Sequence, residues 1–214
     1  ERGLVGGARH VLERRPAARA LAAIAANRLG YGIVTIAVLL LFRNKFNDPS
    51  DVDAGLAGLA TALTVSGAGF LLAAVATPIA TRRFGTEGWI IVLLVLAAAA
   101  QVFPAGLYTV PGVLVAAFLL GFAAQGLKIC VDTIVQRSID DEFRGRVFAF
   151  YDVVFNATFV LAAAVAAMVL PASGVSYAVL FVVAASYLVT AVLYARATRE
   201  ERAEDRALRS RTIA

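Results

Sequence analysis

Apolar residues fill this chain in six long blocks, and the charges gather between them. The blocks run roughly over 18–42, 55–81, 89–103, 112–136, 147–170 and 176–195. The stretch VPGVLVAAFLLGFAAQ, in the fourth, carries no charge at all. A membrane span needs about 20 mostly apolar residues. Lipid offers no partner to a bare N–H or C=O, so each block is expected to be a helix that satisfies its own backbone. The third block is short by that measure unless Pro104 to Tyr108 extends it. The expected fold is all-α: a polytopic membrane protein with six transmembrane helices, its bundle within 18–196.

The flanks set an expected orientation. Arg2, Arg9, Arg14 and Arg15 precede the first block, with Arg19 at its edge. Arg82 and Arg83 follow the second block, and Arg137, Arg144 and Arg146 follow the fourth. Arg196, Arg199, Arg202, Arg206, Arg209 and Arg211 follow the sixth. The alternate loops hold only Arg43 and Lys45, beside Asp48, Asp51 and Asp53. Basic residues collect on the cytoplasmic side of a membrane. Both ends of this segment are therefore expected in the cytoplasm, with the bundle in the cell (inner) membrane. Residues 1–17 read as a cytoplasmic linker helix lying on the membrane surface. Leu4, Ala8, Val11 and Leu12 share one face of 2–15, while Arg2, Arg9 and Glu13 are polar. Pro16 suits the first turn of the next helix. Residues 197–214 read as a solvated, mixed-charge cytoplasmic tail that can be helical.

A few polar residues interrupt the apolar blocks. At 100° per residue, Gln125, Lys128, Asp132 and Gln136 fall within an arc of about 80°, with Gly121 on the same face. In the first block Arg28, Tyr31 and Thr35 align, with Asn27 beside them. In the fifth, Asp152 and Asn156 are one turn apart, next to Tyr151. Arg28 and Lys128 each lie about ten residues in from the basic end, roughly 15 Å deep at 1.5 Å per residue. A charge at that depth costs about 2.5–3.5 kcal/mol on insertion scales. Four such charges on three helices are expected to face water or one another. Two readings stay open: a substrate- or proton-handling pathway, and an ion-pair latch between helices. Lys128 and Asp132 could satisfy each other; Arg28 has no acid on its own helix. Small residues also recur, at Gly58, Ala62 and Ser66 and at Ala162, Ala163, Ala166 and Ala167, which suits close helix packing.

Composition narrows the classes. The chain is 60% hydrophobic and 16% charged, against about a quarter charged in a soluble domain. The net charge of +5 is explained by the span flanks, so no nucleic-acid partner is expected. Cys130 and His10 are the only residues of their kinds. That excludes an intrachain disulfide and a cysteine-built zinc site, and no metal or other cofactor is expected. An intramembrane enzyme would need a nucleophile–base pair or a metal cluster at depth, and the blocks offer neither. Asp140, Asp141 and Glu142 form an acidic turn, but between blocks. A membrane assembly subunit without transport is the other alternative.

The segment VQRSIDDEFRGRVFAFYDVVFNATF, residues 135–159, resembles the major facilitator superfamily, specifically the C-terminal half of bacterial multidrug or siderophore-exporter-like permeases. Those carry an R-G-R cytoplasmic turn between helices ten and eleven, here Arg144, Gly145 and Arg146. The opening GLVGGARHVLERRPAARALA resembles the end of their central loop. In TPIATRRFGTEGW, Arg83 and Gly85 match the R-x-G core of the superfamily's loop motif. Pro78 and Arg82 stand where that motif has its first glycine and its acid, so this copy is degenerate. The resemblance implies that the six spans are helices seven to twelve. It implies a secondary transporter that rocks two six-helix halves about a central site, exporting a small amphipathic solute, with protons as the coupling ion. It implies a cavity lined by the spans of Arg28 and of Lys128 and Asp132. Arg144 and Arg146 would serve as gate residues or as plain positive-side anchors. The expected partners are lipid, the solute, protons and an N-terminal six-helix half. The chain is expected to be part of a twelve-span protein; paired six-span units are the alternative.

Overall fold

The computed structural model describes residues 4–213, with side chains from 6 to 203. Arg2, and the side chains of Leu4, Arg206, Arg209 and Arg211, lie outside the described residues. Among the described residues seven α-helices follow one another: α1 (Leu4–Glu13), α2 (Arg15–Leu41), α3 (Val52–Phe84), α4 (Thr86–Val102), α5 (Val110–Ser138), α6 (Arg144–Val169) and α7 (Tyr177–Ile213). Among the described residues, six helices are long and apolar enough to cross a membrane. They correspond one for one to the six apolar blocks. The third is lengthened by a 3₁₀ turn over Ala105–Leu107, so its apolar run reaches Leu107.

Each boundary has a local cause. Pro16 stands in the first turn of α2, where its missing N–H is no loss. α2 ends in a π-helical turn over Phe42–Phe46, and Asn47 Nδ2 donates to the Phe42 carbonyl there. Asp51 caps α3 by accepting from Ala54 N at 2.9 Å. Nearby, Ser50 donates twice to Asp48 Oδ1, which lowers that exposed carboxyl's pKa from its ordinary value. α3 and α4 are joined by Gly85 alone, whose φ of +74° favours glycine.

The main contacts have an internal symmetry. α3 packs on α5 and α6 on α2; α4 packs on α5 and α7 on α2; α2 meets α5, and α4 meets α7. Exchanging α2, α3, α4 with α5, α6, α7 maps this set onto itself. The two triplets start at opposite ends of the bundle, the arrangement of an inverted repeat. The tightest seam is α3 on α5. An added Cβ at Gly69 would collide with the Phe118 carbonyl, and one at Gly121 with that of Ser66. Small residues let the two backbones touch.

Hydrogen bonds and ion pairs tie together two rims. At the basic rim, Arg14 pairs with Asp140, Arg19 with Glu201 and Arg202 with Glu87, each at 2.7 Å. At the other, Asn44 Nδ2 donates to the Ala172 carbonyl and Ser176 N to the Tyr108 hydroxyl. α7 runs on past the basic rim to Ile213, and Glu201 and Arg202 tie the start of the charged tail to Arg19 and Glu87. α1 buries Gly6, Gly7 and Val11, while Leu12 is 73% exposed. That buried face is the one that docks on α6.

Candidate functional site

Three helices converge on one polar spot at membrane depth. α2 supplies Arg28 and Tyr31. α5 supplies Lys128 and Asp132, and α6 supplies Tyr151, Phe155 and Phe159 at four-residue intervals. Four-residue spacing keeps those rings on one face of α6, and α6 packs along α2. The rings therefore meet Arg28. Its guanidinium carbon lies 4.1 Å from the Phe155 centroid, 4.7 Å from that of Phe159 and 5.9 Å from that of Tyr31. Each ring attracts the cation by about 0.5–2 kcal/mol, depending on exposure. A ring face offers no acceptor to an N–H on the guanidinium edge, and Arg28 Nε is buried without a hydrogen-bond partner. Arg28 has no ion-pair partner among the described residues.

Lys128 is arranged differently. Its Nζ donates to Asp132 Oδ2 at 2.7 Å, one helical turn away. It also lies 5.5 Å from the Tyr151 centroid and 6.0 Å from that of Phe155. Asp132 and the Tyr151 hydroxyl are buried side by side, the hydroxyl placed as donor and the carboxylate as acceptor. Phe155 is shared by both cations, at 4.1 Å and 6.0 Å, so their charges lie within about 10 Å of each other. At an effective dielectric of about 20 they repel by about 1.7 kcal/mol. Asp132 offsets one of them. The spot keeps one net positive charge and, at Arg28 Nε, a buried donor without a partner.

Tyr31 ties this spot to α3 through its hydroxyl, 3.0 Å from Ser66 Oγ. Thr35 Oγ1 donates to the Tyr31 carbonyl. Gln125 is half-buried, toward the next turn of α5. Asp152 and Asn156 are not brought into the cluster. They are exposed on the outer side of α6, where Asn156 Nδ2 donates to the Asp152 carbonyl. Tyr151 is buried and Asp152 is one residue, about 100°, further round. The residues that sequence reasoning missed are Phe155 and Phe159. Their signal was the four-residue repeat with Tyr151, which reads equally as ordinary apolar packing.

The loop residues sit apart from this cluster, at the basic rim. Arg144, Gly145 and Arg146 do not form a turn. The turn is Ile139–Phe143, and the R-G-R triplet is the first turn of α6. Arg144 pairs with Asp141 at 2.5 Å, and Arg146 lies 5.1 Å over the Phe143 ring. A Cβ on Gly145 would meet open space. Arg83 is exposed, 5.9 Å over the Phe84 ring. Pro78 lies inside α3, so the degenerate motif begins in a helix. An apolar cavity at the opposite rim, between α2, α4, α5 and α7, includes buried Gln101 and carries no charged side chain.

Comparison with known proteins agrees with this architecture. The chain is similar to the uncharacterized MFS-type transporter Rv0037c of Mycobacterium tuberculosis, with 39% identity over 175 residues, 80% of this chain and 38% of that relative. The uncharacterized MFS-type transporter Mb0038c of Mycobacterium bovis matches with the same identity and coverage. The chain thus spans about two fifths of the length of these curated relatives. No solved structure matches it. The family model for the Major Facilitator Superfamily matches residues 20–212, and the chain belongs to that superfamily.

Proposed function

We propose that this chain is the C-terminal six-helix half of a secondary transporter. The transporter exports a small amphipathic solute by alternating access, driven by protons. One observation carries the reading: Arg28 stands at membrane depth beside a Lys128–Asp132 pair with no acid of its own, its buried Nε without a hydrogen-bond partner. Unsatisfied polar atoms in lipid cost several kcal/mol each, so a structure that only latched helices would be expected to close them. Solute and proton are the natural partners. Asp132 would take the proton, and Arg28 and Tyr151 would face the solute. The relatives carry the name of transporters rather than of enzymes.

The exposed faces support a missing neighbour. α6 leaves most of its span uncovered, including Asp152 and Asn156. These polar residues suit the wall of a pathway shared with an N-terminal six-helix half. The basic rim would face the cytoplasm, placing both ends of the segment there in a cell (inner) membrane. Arg83, Gly85, Arg144, Gly145 and Arg146 would then border the cytoplasmic gate.

Asp132→Asn in the full-length protein tests the coupling. In proteoliposomes with an imposed pH gradient, proton-driven flux should fall at least about tenfold while membrane protein is retained. Unchanged flux rejects Asp132 as the proton carrier. The Lys128–Asp132 pair favours a second reading for those two residues, a latch within α5. Under that reading Asp132→Asn lowers stability and leaves flux per folded molecule unchanged.

A further inference from the structure

We infer that the pathway site selects organic anions: solutes with an apolar, ring-sized body and one negatively charged group, held at Arg28. This rests on the transport reading above and narrows it to a substrate class.

The argument is one of donors and acceptors. The two cations of the cluster are not equivalent. Lys128 is committed to Asp132 at 2.7 Å. Arg28 is held by its face alone, against Phe155 and Phe159. Ring faces fix the plane of a guanidinium and leave its edge N–H groups unserved. That edge is shaped to bind the paired oxygens of a carboxylate, sulfonate or phosphate group. The one acid of the cluster, Asp132, is already served by Lys128 and by the Tyr151 hydroxyl, and leaves nothing for Arg28.

The same residues set the body of the solute. Beside the charged edge lie Tyr31, Phe155 and Phe159, which offer ring surface to an apolar group. A cationic amphipath fits poorly. It would have to displace Lys128 from Asp132 and sit beside Arg28 in a spot that already carries one net positive charge.

The test uses the protein as its gene encodes it, with any residues outside Glu1–Ala214 retained, in phosphatidylcholine nanodiscs. Two radiolabelled probes share one ring system and differ in charge: naphthalenesulfonate and naphthyltrimethylammonium. The sulfonate should bind saturably and more tightly than the ammonium. Arg28→Gln should weaken sulfonate binding by about tenfold or more and leave the thermal unfolding midpoint close to wild type. Arg28→Lys keeps the charge but loses the planar edge, and should fall between. If Arg28→Gln does not fold, the Arg28→Lys ratio decides alone. Adding phosphatidylglycerol separates two sources of the same anionic chemistry. Competition identifies a lipid headgroup as occupant, and lack of competition a free solute.

Tighter binding of the ammonium overturns the inference, as does sulfonate binding that survives Arg28→Gln in folded protein. The transport reading fails separately, when neither probe shows proton-driven flux in proteoliposomes. Proton-driven flux of the ammonium alone refutes anion selection and leaves transport standing.

Discussion

Charges occupy two regions of this molecule, and the two are organised in opposite ways. At the basic rim Arg14, Arg19, Arg144 and Arg202 each have an acid within 4 Å, drawn mostly from distant parts of the chain. At membrane depth Arg28 has none among the described residues, and its buried Nε lacks a hydrogen-bond partner. Energetics alone predict the reverse. Exposed pairs at the rim contribute about 0–1 kcal/mol each, so an unpaired cation there would cost little. An unpaired charge in lipid costs about 2.5–3.5 kcal/mol or more. Lys128 follows the pairing rule even at depth, through Asp132, so the exception is Arg28: a cation left open where openness is costly is kept for something other than stability.

The largest expected effect breaks the inner cluster. Asp132→Ala leaves two cations sharing Phe155 with no anion between them. Removing one partner of a buried pair destabilises by about 3–5 kcal/mol. Both side chains here are partly exposed, at 38% and 28%, so a loss nearer about 2 kcal/mol is expected. The double change Lys128→Met with Asp132→Leu should recover most of that loss, since both charges go together. Chemical unfolding in detergent micelles measures the first effect, and flux measures the second. Recovered stability with absent flux marks the pair as functional. Recovered stability with full flux marks it as a latch.

The comparison also explains what the sequence made legible. The six spans were readable because apolar length is a local property and lipid leaves the backbone no alternative to helix. The Lys128–Asp132 pair was readable for the same reason, as partners one turn apart on a single helix. The Arg28 environment was not. It depends on α2 meeting α6, and the residues involved lie far apart in sequence. Asp152 was grouped with the polar residues of the pathway, yet the register that buries Tyr151 turns Asp152 to an exposed face of α6. Gly145 suggested a turn, but the acidic residues 140–142 take the turn and leave Gly145 in the helix. The charged tail read as solvated because its anchors, Arg19 and Glu87, belong to α2 and α4.

A smaller effect sharpens the contrast from the aromatic side. Phe155 is the one ring within cation–π range of both Arg28 and Lys128, whereas Phe159 serves Arg28 alone. Phe155→Leu keeps most of the volume and removes both interactions. It should destabilise by about 1–2 kcal/mol, and Phe159→Leu by roughly half of that. Equal losses, read from thermal unfolding midpoints, would show plain packing and not the shared cation contact.

The smallest effect is expected at the rim. Arg14 meets Asp140 at 2.7 Å, with side chains 47% and 61% exposed, and His10 Nε2 lies 3.6 Å from the same carboxylate. α1 is also held by stacking of His10 on Phe143, with centroids 4.3 Å apart, so the ion pair is not its only anchor. A double-mutant cycle on Arg14→Ala and Asp140→Ala should give a coupling of about 0.2–1 kcal/mol. Because water surrounds the pair, that coupling should shrink further in high salt, where the Debye length falls to about 3 Å at 1 M. The inner pair, with side chains only 38% and 28% exposed, should lose less of its coupling under the same conditions. A salt-insensitive coupling above about 2 kcal/mol at Arg14 and Asp140 would place both regions in one energetic class. The openness of Arg28 would then be a local accident of packing, without the functional meaning that the contrast gives it.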